Sequence, residues 1–383
     1  MSAKIVGIVV RLQYAAAFLA GFLAMAAGIP GVASAQLDDE KVKTEVLELP
    51  PDPPAVVTAD ASRLLFETVS SPAGGLLSQQ LRTLLRALLK KHRRDRIVHL
   101  RAFVAGSGDT RRVQAVVSEV FVDRKRPLPA LSVAHVGMLP QESAAVVLEV
   151  VAETAKPVNP HGLVFISGES VVTGEPVLDV APLAGQSLDR VRAVTEALAL
   201  APDDVLRVTC YCSSLRDGNA VRQAAHARFP RAAVTYLQVL REYTGAAVTC
   251  EAVARLAQPI SMGSTAAGAP GLDPHPVYSH AALAGPGRVA LTGIQIGFRH
   301  QARDMGLAFE RMASTLAGEG ASMKDVLAVR FYTLSGLVAE QLREAQFQFF
   351  DKERPPAGTV IQVQDLPSLD ATFAMDAIAI VKR

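Results

Sequence analysis

The chain has 383 residues, 50% of them hydrophobic and 20% charged, enough for roughly two to four domains with sizeable cores. A formal net charge of +2 argues against a protein organised around nucleic acid, which needs a strongly basic face. With no Trp and 5% aromatics, base-stacking platforms are not expected either.

The N-terminus begins with Lys4 and Arg11, continues through an apolar run, LQYAAAFLAGFLAMAAGI at 12–29, and reaches Ala33-Ser34-Ala35 before Gln36. A basic start, an apolar middle and an A-x-A end predict a secretory signal peptide over 1–35, cleaved after Ala35. The competing reading is a retained anchor, since the run is just long enough to span a bilayer. Export to a periplasm or beyond follows from the first reading, with no membrane attachment after cleavage. Residues 36–56, charged and then Pro-rich, read as a linker.

Two further breaks, AKPVNPHG at 155–162 and QPISMGSTAAGAPGLDPHP at 258–276, leave three segments, with boundaries expected at 57–154, 158–257 and 275–383 and a linker over 258–274. Each segment reads strand, amphipathic helix, strand, helix and two more strands. GLVFISGES (162–170) and GRVALTGIQ (287–295) are parallel openings: Gly162 matches Gly287, Ser167 matches Thr292, and Gly168 matches Gly293. The apolar strand is expected to break at Ser167-Gly168. LLFETV (64–69) is the degraded first copy.

Helical periodicity predicts Leu77, Leu81, Leu84, Leu85 and Leu88 on one buried face. The same period runs through Met305, Ala308, Phe309, Met312 and Leu316. Second helices are read at Val113, Val116, Val117, Val120 and Phe121, and at Val338, Leu342, Ala345 and Phe349. The following strands are RIVHLRAFV (96–104), DVLRVTCYC (204–212) and DVLAVRFYT (325–333), which align Leu100-Arg101 with Val329-Arg330. The closing strands VVLEVVAE, VTCEAVAR and FAMDAIAI place Glu149, Glu251 and Asp376 at one register.

Three cysteines do not make a disulfide scaffold. Cys210 and Cys212 share a strand face; a bridge from one of them to Cys250 and a set of buried free thiols both fit. No His sits at ligand spacing beside them, and no metal, nucleotide or flavin motif occurs, so no cofactor is expected. KKHRRDR (90–96) follows a helix, where cations suit the C-terminal dipole; the alternative is an anion or RNA site.

The order of these motifs resembles the reactive-intermediate deaminase (Rid) family: ISG in the first strand, DVLxV after the helix, Pro-Ala before the next strand, an acidic residue in the last, and YSHAA at 278–282 as the entry motif. The resemblance covers nearly all of the chain after the leader and is weakest in the first segment. It implies an α+β fold of chorismate-mutase-like units. Relatives assemble as trimers with a central sheet barrel, outer helices and ligand clefts between subunits. Here the three tandem domains are expected to form that arrangement within one chain, as a monomeric pseudo-trimer.

In active relatives an Arg after Pro-Ala holds the carboxylate of an imino or enamino acid, because guanidinium offers two parallel donors and stays charged. An acidic residue orients the attacking water. This chain reads Pro129-Ala130-Leu131 and Pro356-Ala357-Gly358, and keeps an Arg only in Phe229-Pro230-Arg231, with one residue deleted. The resemblance therefore assigns Glu251 as catalytic and Arg231, Ser167 and Tyr278 as substrate-binding. Each has a plainer reading: a solvated Arg, a satisfied buried carboxylate, a strand-end turn and a packed ring. Three functions compete: hydrolysis of a small enamine or imine carboxylate at one retained site, a non-catalytic scaffold for a small ligand or a protein, and, more weakly, a ribonuclease.

Overall fold

The computed structural model describes residues 50–71, 74–242, 244–260, 264–273 and 277–382. The expected signal peptide and most of the linker lie outside them. Among the described residues no helix is long and apolar enough to cross a membrane.

In chain order the first third comprises β1 (Val56–Asp60), β2 (Leu64–Ser70), α1 (Leu77–Lys91), β3 (Arg96–Val104), α2 (Arg111–Asp123), β4 (Ala130–His135) and β5 (Val146–Glu153). The middle third has β6 (Leu163–Val172), α3 (Ala181–Ala197), β7 (Val205–Cys212), α4 (Gly218–Arg228), β8 (Ala233–Gln238) and β9 (Ala246–Arg255). The last third has β10 (Ser264–Ala267), β11 (Ala281–Ala284), β12 (Arg288–Thr292), β13 (Gln295–Phe298) and α5 (Ala302–Ala317). It ends with β14 (Val326–Thr333), α6 (Gly336–Ala345), β15 (Ala357–Gln362) and β16 (Ala371–Ile380).

Three sheets share one order. They run β2-β5-β3-β4, then β6-β9-β7-β8, then β12-β16-β14-β15, and in each the last pair is parallel and the others antiparallel. Helices cover the outer face of each sheet. The predicted stripes Leu81, Leu85 and Leu88 on α1, Val113, Val117 and Phe121 on α2, and Met305, Phe309 and Met312 on α5 are all buried there. The Asp of each DVL motif ends a short 3-10 turn. Asp204 accepts from the Ala201 amide at 2.9 Å and Asp325 from the Ser322 amide at 3.0 Å, so the motif is a cap that launches the strand.

Two features depart from the sequence reading. The strand does not break at Ser167-Gly168: β6 runs on to Val172, and the pair forms a bulge opposite Glu251, between the Ile166–Ala252 and Glu169–Cys250 rungs. A break does occur at the matching place in the last third, where β12 stops at Thr292 and β13 resumes at Gln295. The edge strands are also exchanged. β1 pairs with β12, more than 200 residues along the chain, and β11 pairs with β6. Gly162 permits the second pairing: it has φ +102°, and a Cβ there would sit 1.9 Å from the Ala284 carbonyl.

No closed barrel forms. The sheets stay separate hydrogen-bonded units whose inner faces pack together, because the strand ends meet through single bridges and not through continuous ladders. His135 bridges Asp365, Met138 bridges Gln238, and Leu240 bridges Gln362, so the ends of β4, β8 and β15 link in a ring. The inner faces build two apolar clusters, one around Phe66, Val151, Phe165 and Ile378, the other around Phe103, Val147, Tyr211, Tyr332 and Ile361. On β5, Val151 and Val147 belong to different clusters and Glu149 lies between them. Strand alternation thus places a charged layer between two apolar ones.

Candidate functional site

Three junctions bring a sheet's opening strand against a neighbour's penultimate strand. At the first, the Ser167 hydroxyl donates to the Ser279 carbonyl at 2.5 Å and accepts from the Gly358 amide at 2.9 Å. Tyr278, 5% exposed, lies flat on the same glycine: a Cβ on Gly358 would be 2.0 Å from its ring. Ser167 and Tyr278 therefore do meet, and the ring occupies the space that any side chain at position 358 would need.

At the second junction Ile294 donates to the Leu131 carbonyl at 2.9 Å and Gly293 donates to the Ala55 carbonyl at 2.8 Å. A cavity of ≈ 280 Å³ remains there, lined by Asp52, Pro54, Gln114, Leu131, Gly293 and Ile296. Gln114 donates to Asp52 at 2.7 Å, so the Pro-rich leader forms one wall. At the third junction the hydroxyls of Thr68 and Thr235 bond at 2.8 Å.

The ladder registers identify the rung that follows Pro-Ala. Leu131 pairs with Leu100, Gly358 with Val329 and Val234 with Val208. Val234, not Arg231, therefore stands at the rung of Leu131 and Gly358. Arg231 lies before β8, with its side chain 72% exposed and its Nε 3.1 Å from Asp203. Reading Arg231 onto that rung required a deletion, and the loop after α4 absorbs those residues instead.

Glu251 stands opposite the Ser167-Gly168 bulge on the ladder, but its carboxylate belongs to the central layer. Arg101 Nε donates to Glu149 at 2.7 Å, and its Nη2 reaches Glu251 at 2.8 Å. Arg330 Nε donates to the same Glu251 oxygen at 2.7 Å and its Nη1 stands 3.5 Å from Asp376. Tyr332 donates to Asp376 at 2.8 Å, Thr209 donates to Glu149, and Arg207 approaches Glu149 at 3.6 Å. All these side chains are buried. The three acidic residues of the shared register thus converge with three arginines. Burial would raise the Glu149 carboxyl, but Arg101 and Arg207 outweigh it and hold it at about 2. Glu251 is likewise held well below the usual carboxylate range, because Arg330, Arg101 and Arg207 overcome its burial. His99 beside them is pushed down to about 4, chiefly by burial, and stays neutral at physiological pH. A void of ≈ 10 Å³ among His99, Arg207, Arg330 and Asp376 has room for about one water.

Arg101 and Arg330 align in the sequence without a role for either, and Arg207 is not among the residues it singles out. The available signal was an Arg inside an otherwise apolar strand, because a charge that a strand buries must find a partner. A second buried pair, His280 Nδ1 with Glu169 at 2.7 Å, is closed by His280 Nε2 on the Asp273 carbonyl at 3.0 Å. Cys210 and Cys250, opposite each other on β7 and β9, form a disulfide, and Cys212 is a buried thiol pushed up to about 12 by burial. Among the described residues no His, Cys, Asp or Glu cluster is suited to a metal ion.

Residues 273–381 match the family described as Endoribonuclease L-PSP. This part of the chain belongs to the L-PSP, or Rid, family. Solved structures from that family are similar to parts of the chain. A YjgF-family protein from Neisseria meningitidis is 12% identical, with 25% of this chain and 81% of that one covered and a TM-score of 0.24. A YjgF-family member from Mycobacterium tuberculosis is 23% identical, covering 24% and 79%, with a TM-score of 0.23. The Rid-family protein YyfB from Yersinia pestis is 18% identical, covering 31% and 100%, with a TM-score of 0.27. Comparison with curated proteins gives no match.

Proposed function

We propose that this chain is a Rid-type scaffold in which one polypeptide supplies three sectors, and that it binds ligands or partners without deaminating them. The observation that carries the second half is Tyr278 seated on Gly358, at the rung where the resemblance expects the carboxylate-binding Arg. Leu131 and Val234 hold the other two rungs. None of these three rungs therefore offers a guanidinium to a carboxylate substrate. Glu251 is buried, and its Oε1 is committed to Arg101 and Arg330.

The three-sector reading is supported by the common strand order, by the acidic register and by the ring of bridges among β4, β8 and β15. The sectors correspond to 57–154, 158–257 and 275–383, apart from the exchanged edge strands. Export is supported by the leader composition and by the Cys210–Cys250 disulfide, since such bridges persist in oxidising compartments.

The test is hydrolysis of freshly generated 2-iminopropionate by the purified protein, with Arg231→Ala beside it. The expected result is the rate of buffer alone for both proteins. Turnover that Arg231→Ala abolishes would instead establish the deaminase.

A further inference from the structure

α1 and α2 end side by side, and the groove between their C-terminal ends is unusually cationic. It measures ≈ 430 Å³ and is lined by Arg86, Ala87, Leu89, Lys90, Arg124 and Arg126. Arg93, Arg94 and Lys125 stand on the adjoining turns and are exposed, as are Arg86, Lys90 and Arg124. None of these six exposed cations makes an ion pair with a described residue. Elsewhere among the described residues Arg63, Arg82, Arg96, Arg228 and Arg255 are paired.

A helix C-terminus attracts cations in its own right, so that explanation comes first. Here it is already satisfied. Arg126 donates through Nη2 to the His92 carbonyl at 3.1 Å and to that of Asp95, and through Nη1 to the Arg93 carbonyl at 3.3 Å. The His92 amide also closes on the Leu88 carbonyl at 2.9 Å. Lys91 and His92 are taken up by Glu67. Across 86–90 and 123–126 Asp123 is the one acidic residue, and the two helix ends are worth about half a negative charge each. The groove therefore stays strongly positive. Lys125 adopts φ 52°, the left-handed turn that closes α2, with its amide on the Val122 carbonyl and that of Arg126 on the Phe121 carbonyl, both at 2.9 Å. The residues flanking it, Arg124 and Arg126, both line the groove.

We propose that this groove is a binding site for a compact phosphate-bearing anion. Its concavity suits a clustered polyphosphate group. Its apolar lining residues, Ala87 and Leu89, offer no ring on which a base could stack, which disfavours single-stranded nucleic acid. Guanidinium and ammonium groups at one rim meet phosphate oxygens by charge-assisted hydrogen bonds. The same chemistry is presented by a soluble polyphosphate and by a phospholipid headgroup. The site lies on the outer, helical side of the first sheet, so it does not depend on whether the junctions hydrolyse anything.

The test titrates the full chain with inorganic tripolyphosphate by calorimetry at low ionic strength, beside the triple variant Arg86→Gln, Lys90→Gln, Arg124→Gln and the control Lys324→Gln. All four side chains are exposed, and an unchanged melting temperature checks that the variants fold. Binding that weakens about tenfold or more in the triple variant, is unchanged in the control and falls with added salt is expected. Sedimentation with phosphatidylglycerol–phosphatidylcholine vesicles against phosphatidylcholine alone separates the sources. Vesicle binding lost in the triple variant assigns a headgroup, and its absence beside tripolyphosphate binding assigns a soluble anion. No tripolyphosphate binding by the native chain, or equal binding by the triple variant, overturns the proposal. So does a short RNA bound more tightly than tripolyphosphate with a dependence on its bases.

Discussion

Glu251 shows how far a residue's role is set by what it faces. On sequence it is one acid of three at a shared register; in the fold it accepts from two arginines at 2.7 and 2.8 Å in a layer closed to solvent. Removing one partner of such a group leaves buried charge uncompensated. Glu251→Ala should therefore cost about 3–5 kcal/mol in urea unfolding, whereas Arg231→Ala, at an exposed surface pair, should change stability by less than about 0.5 kcal/mol. Equal effects would contradict this placement. His92 carries a pH signature of its own. Its hydrogen bond to Glu67 holds it above the ordinary histidine value, with burial opposing and Asp95 adding to the rise. A raised folded value means that the stabilisation is complete below about 6.5, the unfolded value, and is lost as pH rises through the folded one. The melting temperature should accordingly fall as pH climbs above that point, and His92→Gln should flatten that slope. The pairing was invisible in the sequence because Glu67 lies on β2, 25 positions before His92.

Among elements, what could be read in advance was whatever depends on local periodicity. The leucine stripe of α1, the strand over 96–104 and the acidic register follow from alternation and helical spacing, and these signals need no knowledge of the partner. Partner choice was not legible. Nothing in VVTAD announces that β1 joins β12, because an edge strand's hydrogen bonds go to backbone and carry little side-chain information. The candidate site fared likewise: Ser167 and Tyr278 meet because β11 lies on β6, while the Arg rung slipped by a loop residue count that only the ladder register reveals. Gly358 gives a direct check at this scale. Gly358→Ala would force Cβ into the Tyr278 ring and should destabilise by about 1–3 kcal/mol, an overpacking cost. The disulfide between β7 and β9 closes a loop with a sequence separation of 40, so reduction should lower stability by about 3–4 kcal/mol on the chain-entropy account. Native Cys212 should resist thiol reagents until the chain unfolds.

For the molecule as a whole, the inner sheet faces are already covered by one another, with apolar clusters on either side of the ion layer. A chain that buries its own sheet faces has no need of two further copies. Light scattering should return the mass of a single chain at micromolar concentration; a stable trimer of full chains would refute the three-sector reading. Low pH should test the central layer last, because Glu149 at about 2 keeps its charge after ordinary carboxylates have lost theirs.

The exchanged edge strand also sets an order of events. β1 leaves the ribosome among the first folded segments, yet its partner β12 follows only after more than 200 further residues have been made. The sheet that holds both cannot be completed while synthesis is at its midpoint. The sheet of β2, β5, β3 and β4 needs nothing beyond Glu153, so the first and last sheets close at well-separated times. Deleting 50–60 should leave β12 with a bare flank and turn a late-closing monomer into one prone to pair with its neighbours.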